Sequence, residues 1–301
     1  ARAESGPESA VQFSMSPSSG TQGERMSERR THASGEIVLE TSGLTKIFGG
    51  LIAVNSIDLK VHKGEILSLI GPNGAGKTTV FNTVTGIYRP EFGEVFFKNE
   101  KITGKKPHQI ISCGIARTFQ NIRLFPDMTC RENVMAGQHC RSSAGLFSSI
   151  FKTPFQRREE DMIREVAEKR LRQVRLWKVR DELAKNIAYG SQRMLEIARA
   201  LASDPVLLVL DEPSSGLNPR ETWDLMVFLQ GLIREEDITI LLIEHDMNVV
   251  MGISDWVVVM DGGRKIAEGV PEDIYADQRV IEAYLGKEEE DYGDYGATAE
   301  H

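Results

Sequence analysis

The stretch ILSLIGPNGAGKTT, residues 66–79, constrains the fold of this chain more than any other part of its sequence. Its first five residues are almost all apolar and predict a strand that is buried on both faces. The following residues match G-x-x-x-x-G-K-[ST], and VFNTVTGI behind them predicts a helix that ends at Gly86. A strand, a glycine-rich loop and a helix in this order turn backbone N–H groups and a helix N-terminus toward a phosphate. The pattern predicts a binding site for a nucleoside triphosphate.

The rest of the chain alternates apolar runs with helical patterns. VLLVL at residues 206–210 and ITILLI at residues 238–243 are strand-sized, and helices between such strands indicate a parallel sheet covered on both faces. Residues 37–70 resemble short strands joined by turns at FGG and HKGE, and WVVVMDGGRKIAEG predicts a hairpin that turns at DGG. A charged helical segment lies between residues 121 and 185. One stripe of that helix carries Met162, Ile163, Val166, Ala167, Arg170, Leu171 and Val174.

Polar residues follow the two apolar strands directly. Asp211 is expected to hold a metal-bound water, and Glu212 to act as the general base toward an attacking water. His245 follows the next strand, at the edge where open α/β sheets bind ligands, and is expected near the γ-phosphate. Lys77 is expected to contact the β- and γ-phosphates, and the Thr78 hydroxyl to bind Mg²⁺.

Five motifs, in their order along residues 37–285, resemble the ATP-binding subunits of ATP-binding cassette (ABC) transporters. They are GPNGAGKTT, TFQ at residues 118–120, YGSQRMLEIARAL, VLLVLDEPSSGLNP and IEHD. The resemblance implies an α/β fold, a P-loop NTPase (RecA-like) core with an antiparallel β subdomain and an inserted α-helical subdomain. It places the nucleotide-binding domain at residues 36–285, with the core and β subdomain at residues 36–120 and 186–285 and the helical subdomain at residues 121–185.

The resemblance also implies a role for each matching residue. ATP would contact Phe48 and Val54 beside the base, and the phosphate loop Gly71, Pro72, Asn73, Gly74, Ala75, Gly76, Lys77, Thr78 and Thr79. Catalysis would involve Glu212, His245 and Gln120, and Mg²⁺ would be held by Thr78, Gln120 and, through water, Asp211. A signature turn facing the ATP of a second subunit corresponds to Tyr189, Gly190, Ser191 and Gln192. An inter-subunit loop corresponds to Ser215, Gly216, Leu217 and Asn218.

The signature turn departs from the usual family form Leu-Ser-Gly-Gly-Gln. Tyr189 replaces the serine and Ser191 the second glycine, while Gly190 is expected to keep a flexible point before the helix. Whether Tyr189 contacts phosphate or only packs stays open. The AYG-x-Q form is similar to that of branched-chain amino acid uptake systems, as are RTFQNIRLFPDMT and GLFSSIFKTP, residues 145–154. The apolar side chains of the last segment equally suit packing inside the subdomain. Asn218 stands where the family often has aspartate.

The function implied is ATP hydrolysis that powers import of leucine, isoleucine and valine. The expected assembly is a head-to-tail homodimer, or a heterodimer with a second ABC ATPase subunit, with integral membrane permease subunits and a separate solute-binding protein. The expected location is the cytoplasmic face of a bacterial-type inner membrane. One alternative is the ATPase of a urea importer or of a lipid or lipopolysaccharide exporter, whose cassette motifs fit equally. A non-transport ABC ATPase is less favoured, because the sequence shows no long coiled coil, zinc cysteines or tandem cassette.

Charge and composition restrict these choices. The formal net charge of -8 disfavours a nucleic-acid partner, and no apolar run approaches the ~18 residues that span a bilayer. Cys113, Cys130 and Cys140 fit no metal template and favour a reduced, intracellular protein. Residues 1–35 predict a disordered N-terminal extension, in which Met26 is an alternative start, and residues 286–301 predict an acidic, solvated tail.

Overall fold

The structure of this chain is a computed structural model that describes residues 35–138 and 154–284. The predictions for the N-terminal extension, for Cys140, for GLFSSIFKTP up to Thr153 and for the acidic tail lie outside the described residues.

Strands and helices alternate along the described chain much as the apolar pattern predicts. The strands are β1 (Ile37–Phe48), β2 (Leu51–His62), β3 (Ile66–Ile70), β4 (Phe92–Phe97), β5 (Glu100–Lys101), β6 (Ile115–Arg117), β7 (Leu207–Asp211), β8 (Thr239–Ile243), β9 (Trp256–Asp261) and β10 (Arg264–Gly269). The helices are α1 (Lys77–Val84), α2 (Pro107–Cys113), α3 (Cys130–Ala136), α4 (Pro154–Gln173), α5 (Tyr189–Leu201), α6 (Pro219–Glu236), α7 (Met247–Ile253) and α8 (Pro271–Ala276). Residues 278–284 are also helical.

The strands form two sheets. An antiparallel sheet has the order β2-β1-β4-β5, and a larger sheet has the order β10-β9-β3-β8-β7-β6. In the larger sheet β9, β3, β8, β7 and β6 run parallel, while β10 pairs antiparallel with β9 through a turn at Gly262 and Gly263. The predicted parallel sheet and the predicted hairpin at DGG are therefore confirmed.

The core lies on both faces of the parallel sheet. Every residue of β3, β7 and β8 is buried. On one face Leu67 shares a core with Phe81 of α1, and on the other Ile66 shares a core with Leu229 of α6. Apolar residues on both faces of a strand require such double cover. Because these strands are parallel, their carboxyl ends meet at one edge, where the phosphate loop, Asp211 and His245 follow.

A third core joins α3, α4 and α5, with Val134, Leu171 and Leu195 among its buried residues. The stripe predicted on α4 is correct for its C-terminal half. It is wrong for Met162, which is 60% exposed. Among residues 160–173 of α4, the buried ones lie at Ala167 and beyond, so the stripe leaves the shared core before it reaches Met162. Among the described residues, no helix combines the length and apolarity that crossing a membrane requires.

Candidate functional site

The phosphate loop curls around the ammonium group of Lys77. Gly71, Gly74 and Gly76 have φ values of 144°, 78° and 96°, which lie in the region that favours glycine. The buried Lys77 Nζ donates hydrogen bonds to the carbonyl oxygens of Gly71 (2.5 Å) and Pro72 (3.0 Å). The loop thus places a cation in its concavity at the N-terminus of α1, an arrangement suited to bind phosphate.

Two glycines of this loop are required by close packing of one backbone on another. A Cβ atom at Gly71 would overlap the carbonyl oxygen of Met260 in β9, and one at Gly76 would overlap that of Ala53 in β2. Gly74 differs, because nothing lies within 4 Å of the place of its missing Cβ. Both sheets therefore support the loop directly.

The remaining predicted residues of the phosphate loop differ in exposure. Pro72 and Ala75 are buried, Thr79 is half-buried, and Asn73 and Thr78 are exposed. The Thr78 side chain at the start of α1 is therefore accessible to a ligand, as its predicted role requires.

Phe48, the aromatic residue predicted beside the base, has an exposed side chain. Phe48 is 39% exposed, and its ring packs edge-on against Tyr88 with centroids 5.1 Å apart. Lys46 Nζ lies 5.0 Å from the Phe48 ring centroid. Val54 requires a correction, because its side chain is fully buried in the core and cannot contact a base in this structure.

Asp211 has a carboxylate oxygen that suits a cation. It ends β7 and is 2% exposed, and Arg117 Nη2 donates to its Oδ2 at 3.1 Å. Its Oδ1 is buried without a hydrogen-bond partner in the part of the chain that the structure describes. Burial raises the pKa of Asp211 above its usual value, and Arg117 opposes that effect only in part. A nearby cation, or a water bound to one, would satisfy both the charge and the unpaired oxygen.

The three predicted catalytic residues meet at one carboxylate oxygen. Gln120 Nε2 donates to Glu212 Oε2 at 2.9 Å, and His245 Nδ1 lies 3.7 Å from the same oxygen. Glu212 has a left-handed backbone with φ of 47°, and its N–H donates to the carbonyl of Ile243 at 3.0 Å. This backbone conformation and bond fix the carboxylate at the end of β7. A carboxylate, an amide and an imidazole around one point can orient and deprotonate a water.

Two charged residues at this edge, one half-buried and one fully buried, are not among those that the sequence predicts. Arg117 bridges the site to α1, since its Nη1 donates to Asn82 Oδ1 (2.6 Å) and Thr85 Oγ1 (2.9 Å). Glu244 is fully buried, and burial raises its pKa. Its carboxylate accepts hydrogen bonds from the backbone N–H groups of Ser214 (3.0 Å) and His245 (3.2 Å). A charged residue directly beside an apolar strand was the available signal for both.

The signature turn is helical rather than a loop. α5 begins at Tyr189, with Ala188 at its N-cap, so the signature residues form the first turn of the helix. The prediction that Gly190 provides a flexible point is wrong. Gly190 is buried, and a Cβ there would overlap the Glu221 carboxylate, which accepts a capping hydrogen bond from the N–H of Asn218. The absence of a side chain at Gly190 lets the Glu221 carboxylate lie against α5, and an added Cβ would require that flexible side chain to move.

The inter-subunit loop packs against the signature turn of the same chain. The Tyr189 hydroxyl donates to the carbonyl of Ser215 at 3.3 Å, and the Tyr189 ring lies 2.9 Å from where a Cβ of Gly216 would be. Asn218 caps α6 by accepting from the N–H groups of Arg220 and Glu221. Leu217 is half-buried against the core. Ser191 is half-buried, and Gln192 Nε2 donates to the carbonyl of Ile187.

Two family models match the chain. The ABC transporter model matches residues 54–215, and the model of a branched-chain amino acid ATP-binding cassette transporter matches residues 264–290. Each match includes residues that the structure describes.

Individual proteins match over nearly their whole length. The high-affinity branched-chain amino acid transport ATP-binding protein BraF of Pseudomonas aeruginosa is 48% identical over 83% of this chain and 98% of its own length. LivG of Escherichia coli, named for the same transport, is 46% identical over 83% of this chain and 98% of its own length. Among solved structures, an ATP-binding cassette of an ABC transporter in its ADP conformation superposes with a TM-score of 0.73 at 35% identity, covering 83% of this chain and 99% of that one. A nucleotide-free cassette gives the same TM-score at 34% identity over 82% and 98%.

Proposed function

We propose that this chain, which belongs to the ATP-binding proteins of ABC transporters, hydrolyses ATP to power the import of branched-chain amino acids. The main support for ATP hydrolysis is that Gln120 and His245 both approach one carboxylate oxygen of Glu212. The substrate class is supported by the match over residues 264–290 and by relatives named for this transport.

Each residue of the site has a distinct part in the proposed reaction. Lys77 binds the β- and γ-phosphates, and Phe48 stacks on the base. Gln120 orients the water, Glu212 takes its proton, and His245 donates to the departing phosphoryl group. Mg²⁺, when bound, would neutralise charge on the β- and γ-phosphates, and Thr78, Gln120 and a water on Asp211 would hold it.

A second ATPase subunit is part of this proposal. The signature turn packs on the chain's own inter-subunit loop, and Tyr189 is nevertheless 46% exposed at the N-terminus of α5. A helix N-terminus that is open to solvent can receive a phosphate of another subunit. We infer a head-to-tail homodimer, or a heterodimer with a related ATPase, in which each signature turn completes the ATP site of the other subunit.

Membrane subunits are expected to carry the substrate. We propose that the chain binds integral membrane permease subunits from the cytoplasmic side, as a peripheral protein, and that a separate solute-binding protein captures the amino acid. We also propose that residues 36–120 and 186–285 form the nucleotide-binding core and that residues 121–185 form the helical subdomain.

Purification of the tagged full chain from its native membranes in mild detergent tests the transporter assignment. We expect integral membrane proteins to co-purify in fixed ratio with the chain, and ATP hydrolysis to change when these proteins are removed by stringent detergent. The control is the same chain purified from the soluble fraction. Recovery without any membrane protein, together with an ATPase rate that membranes do not affect, would count against transport.

A further inference from the structure

Five residues from three segments of the chain form a closed ring of hydrogen bonds that includes Gln120 and Glu212 of the candidate site. Gln120 Nε2 donates to Glu212 Oε2 (2.9 Å), and Arg193 Nη2 donates to the backbone carbonyl of Gln120 (2.9 Å). The same Nη2 donates to Tyr189 Oη (3.3 Å), which itself donates to the carbonyl of Ser215 (3.3 Å). The N–H of Ser215 donates to the carbonyl of Glu212 (3.2 Å), which closes the ring.

The Arg193 side of the ring is rigid. Arg193 is fully buried, and its Nη1 also donates to the carbonyl of Phe119 (2.9 Å) and to Glu196 Oε2 (3.1 Å). Glu196 in turn accepts a hydrogen bond from the N–H of Arg123 (3.1 Å). Charge-assisted hydrogen bonds in a buried setting are strong, and neither partner can leave without exposing an unpaired charge to the core. The backbone of residues 119–123 therefore moves with α5.

The Tyr189 side of the ring lies at the surface. The ring of Tyr189 packs over Gly216 and is partly exposed, while its hydroxyl reaches inward to Arg193. A serine hydroxyl, at one bond from Cβ, is too short to cover this distance. The aromatic side chain thus connects two surfaces that face the second subunit, the signature turn and the inter-subunit loop, to the buried arginine.

We propose that Tyr189 and Arg193 are positioning residues that couple these two surfaces to Gln120 and Glu212 of the same subunit. The inference rests on the proposed function, because the coupling acts when the ATP of a second subunit contacts the signature turn. A shift of α5 toward that ATP displaces Arg193 and Tyr189 together, and hence the carbonyl of Gln120 and the Ser215 loop. Gln120 and Ser215 both bond to Glu212, so both movements reach this residue. Each subunit thereby adjusts its own water-orienting residues to the ATP that the other subunit holds.

The test replaces Tyr189 with phenylalanine, which keeps the ring and removes the hydroxyl. We expect ATP affinity to stay unchanged and kcat to fall about fivefold, the loss expected for one hydrogen bond. Hydrogen–deuterium exchange with Mg²⁺ and a non-hydrolysable ATP analogue should still show protection of residues 71–78, but the ligand-dependent protection of residues 119–123 should be lost. The matched control is Tyr275→Phe, at an exposed tyrosine of α8 outside the ring.

Arg193→Lys provides a second variant, which keeps a charge beside Glu196 but cannot make the forked contact with two carbonyls. We expect a larger fall in kcat than in Tyr189→Phe, again with unchanged protection of residues 71–78. If Tyr189→Phe matches the wild type both in kcat and in protection of residues 119–123, the coupling is refuted while the proposed ATPase stands. If the wild-type chain shows no ligand-dependent protection of residues 71–78, the proposed function itself fails.

Discussion

Replacing Glu212 with glutamine is expected to lower kcat for ATP hydrolysis by about 10²–10⁴-fold while ATP affinity stays almost unchanged, because removal of a general base has effects of this size. The substituted amide keeps an oxygen that can accept the hydrogen bond from Gln120, so the geometry of the cluster should survive. It has no basicity, so the attacking water keeps its proton. Phosphate release measured under single-turnover conditions, together with equilibrium ATP binding, separates the two effects.

The control for this substitution is Glu100→Gln, at an exposed residue of β5 in the antiparallel sheet. This control should leave both kcat for ATP hydrolysis and ATP affinity unchanged. Near-normal turnover in Glu212→Gln would remove Glu212 as the base and would require another group to accept the proton. Loss of ATP binding in the same variant would instead indicate that the carboxylate supports the fold of the site.

The Gly71→Ala substitution is expected to abolish ATP binding and to lower the free energy of unfolding by about 3 kcal/mol, the upper end for overpacking a close contact. The added Cβ would overlap the carbonyl oxygen of Met260, and φ of 144° is strained for any residue with a side chain. To remove the overlap or the backbone strain, β9 or the phosphate loop would have to move. Thermal unfolding and nucleotide titration of the purified chain measure both losses.

Gly74→Ala is the matched variant within the same loop. Its φ of 78° is also unfavourable for alanine, but nothing lies near the added Cβ. The conformational strain alone is worth about 1–2 kcal/mol, and ATP binding should be weakened rather than lost. Equal effects of the two substitutions would contradict the view that support from β9 sets the geometry of the phosphate loop.

The parts of the site that the sequence predicts depend on local chemistry. The phosphate loop needs glycine at fixed spacing. Asp211 ends one apolar strand and His245 comes shortly after another, and these apolar runs identify both strands as central and parallel. Parallel strands bring their carboxyl ends to one edge whatever the connections between them. For this reason the sequence predicts that Glu212 and His245 lie together, whereas the role of Gln120 follows from the family resemblance alone.

The parts that the sequence does not predict depend on contacts between distant segments. Arg193 and Glu196 are charged residues of α5, yet both are buried because the backbone of residues 119–123 supplies hydrogen-bond partners for them. Gly190 reads as a loop residue because Ala188, at the N-cap of α5, offers no side-chain capping signal. The base contact of Val54 rests on the resemblance alone, and its place inside β2 buries the side chain in the core.

The most direct test of the central claim is uptake of radiolabelled leucine by cells that lack their own copy of this chain and carry either the wild-type chain or Glu212→Gln. We predict that the wild-type chain restores uptake, that Glu212→Gln does not, and that unlabelled isoleucine and valine compete while urea does not. Restored leucine uptake by Glu212→Gln, or uptake that is the same with and without the wild-type chain, would contradict the proposal that ATP hydrolysis at this site powers branched-chain amino acid import.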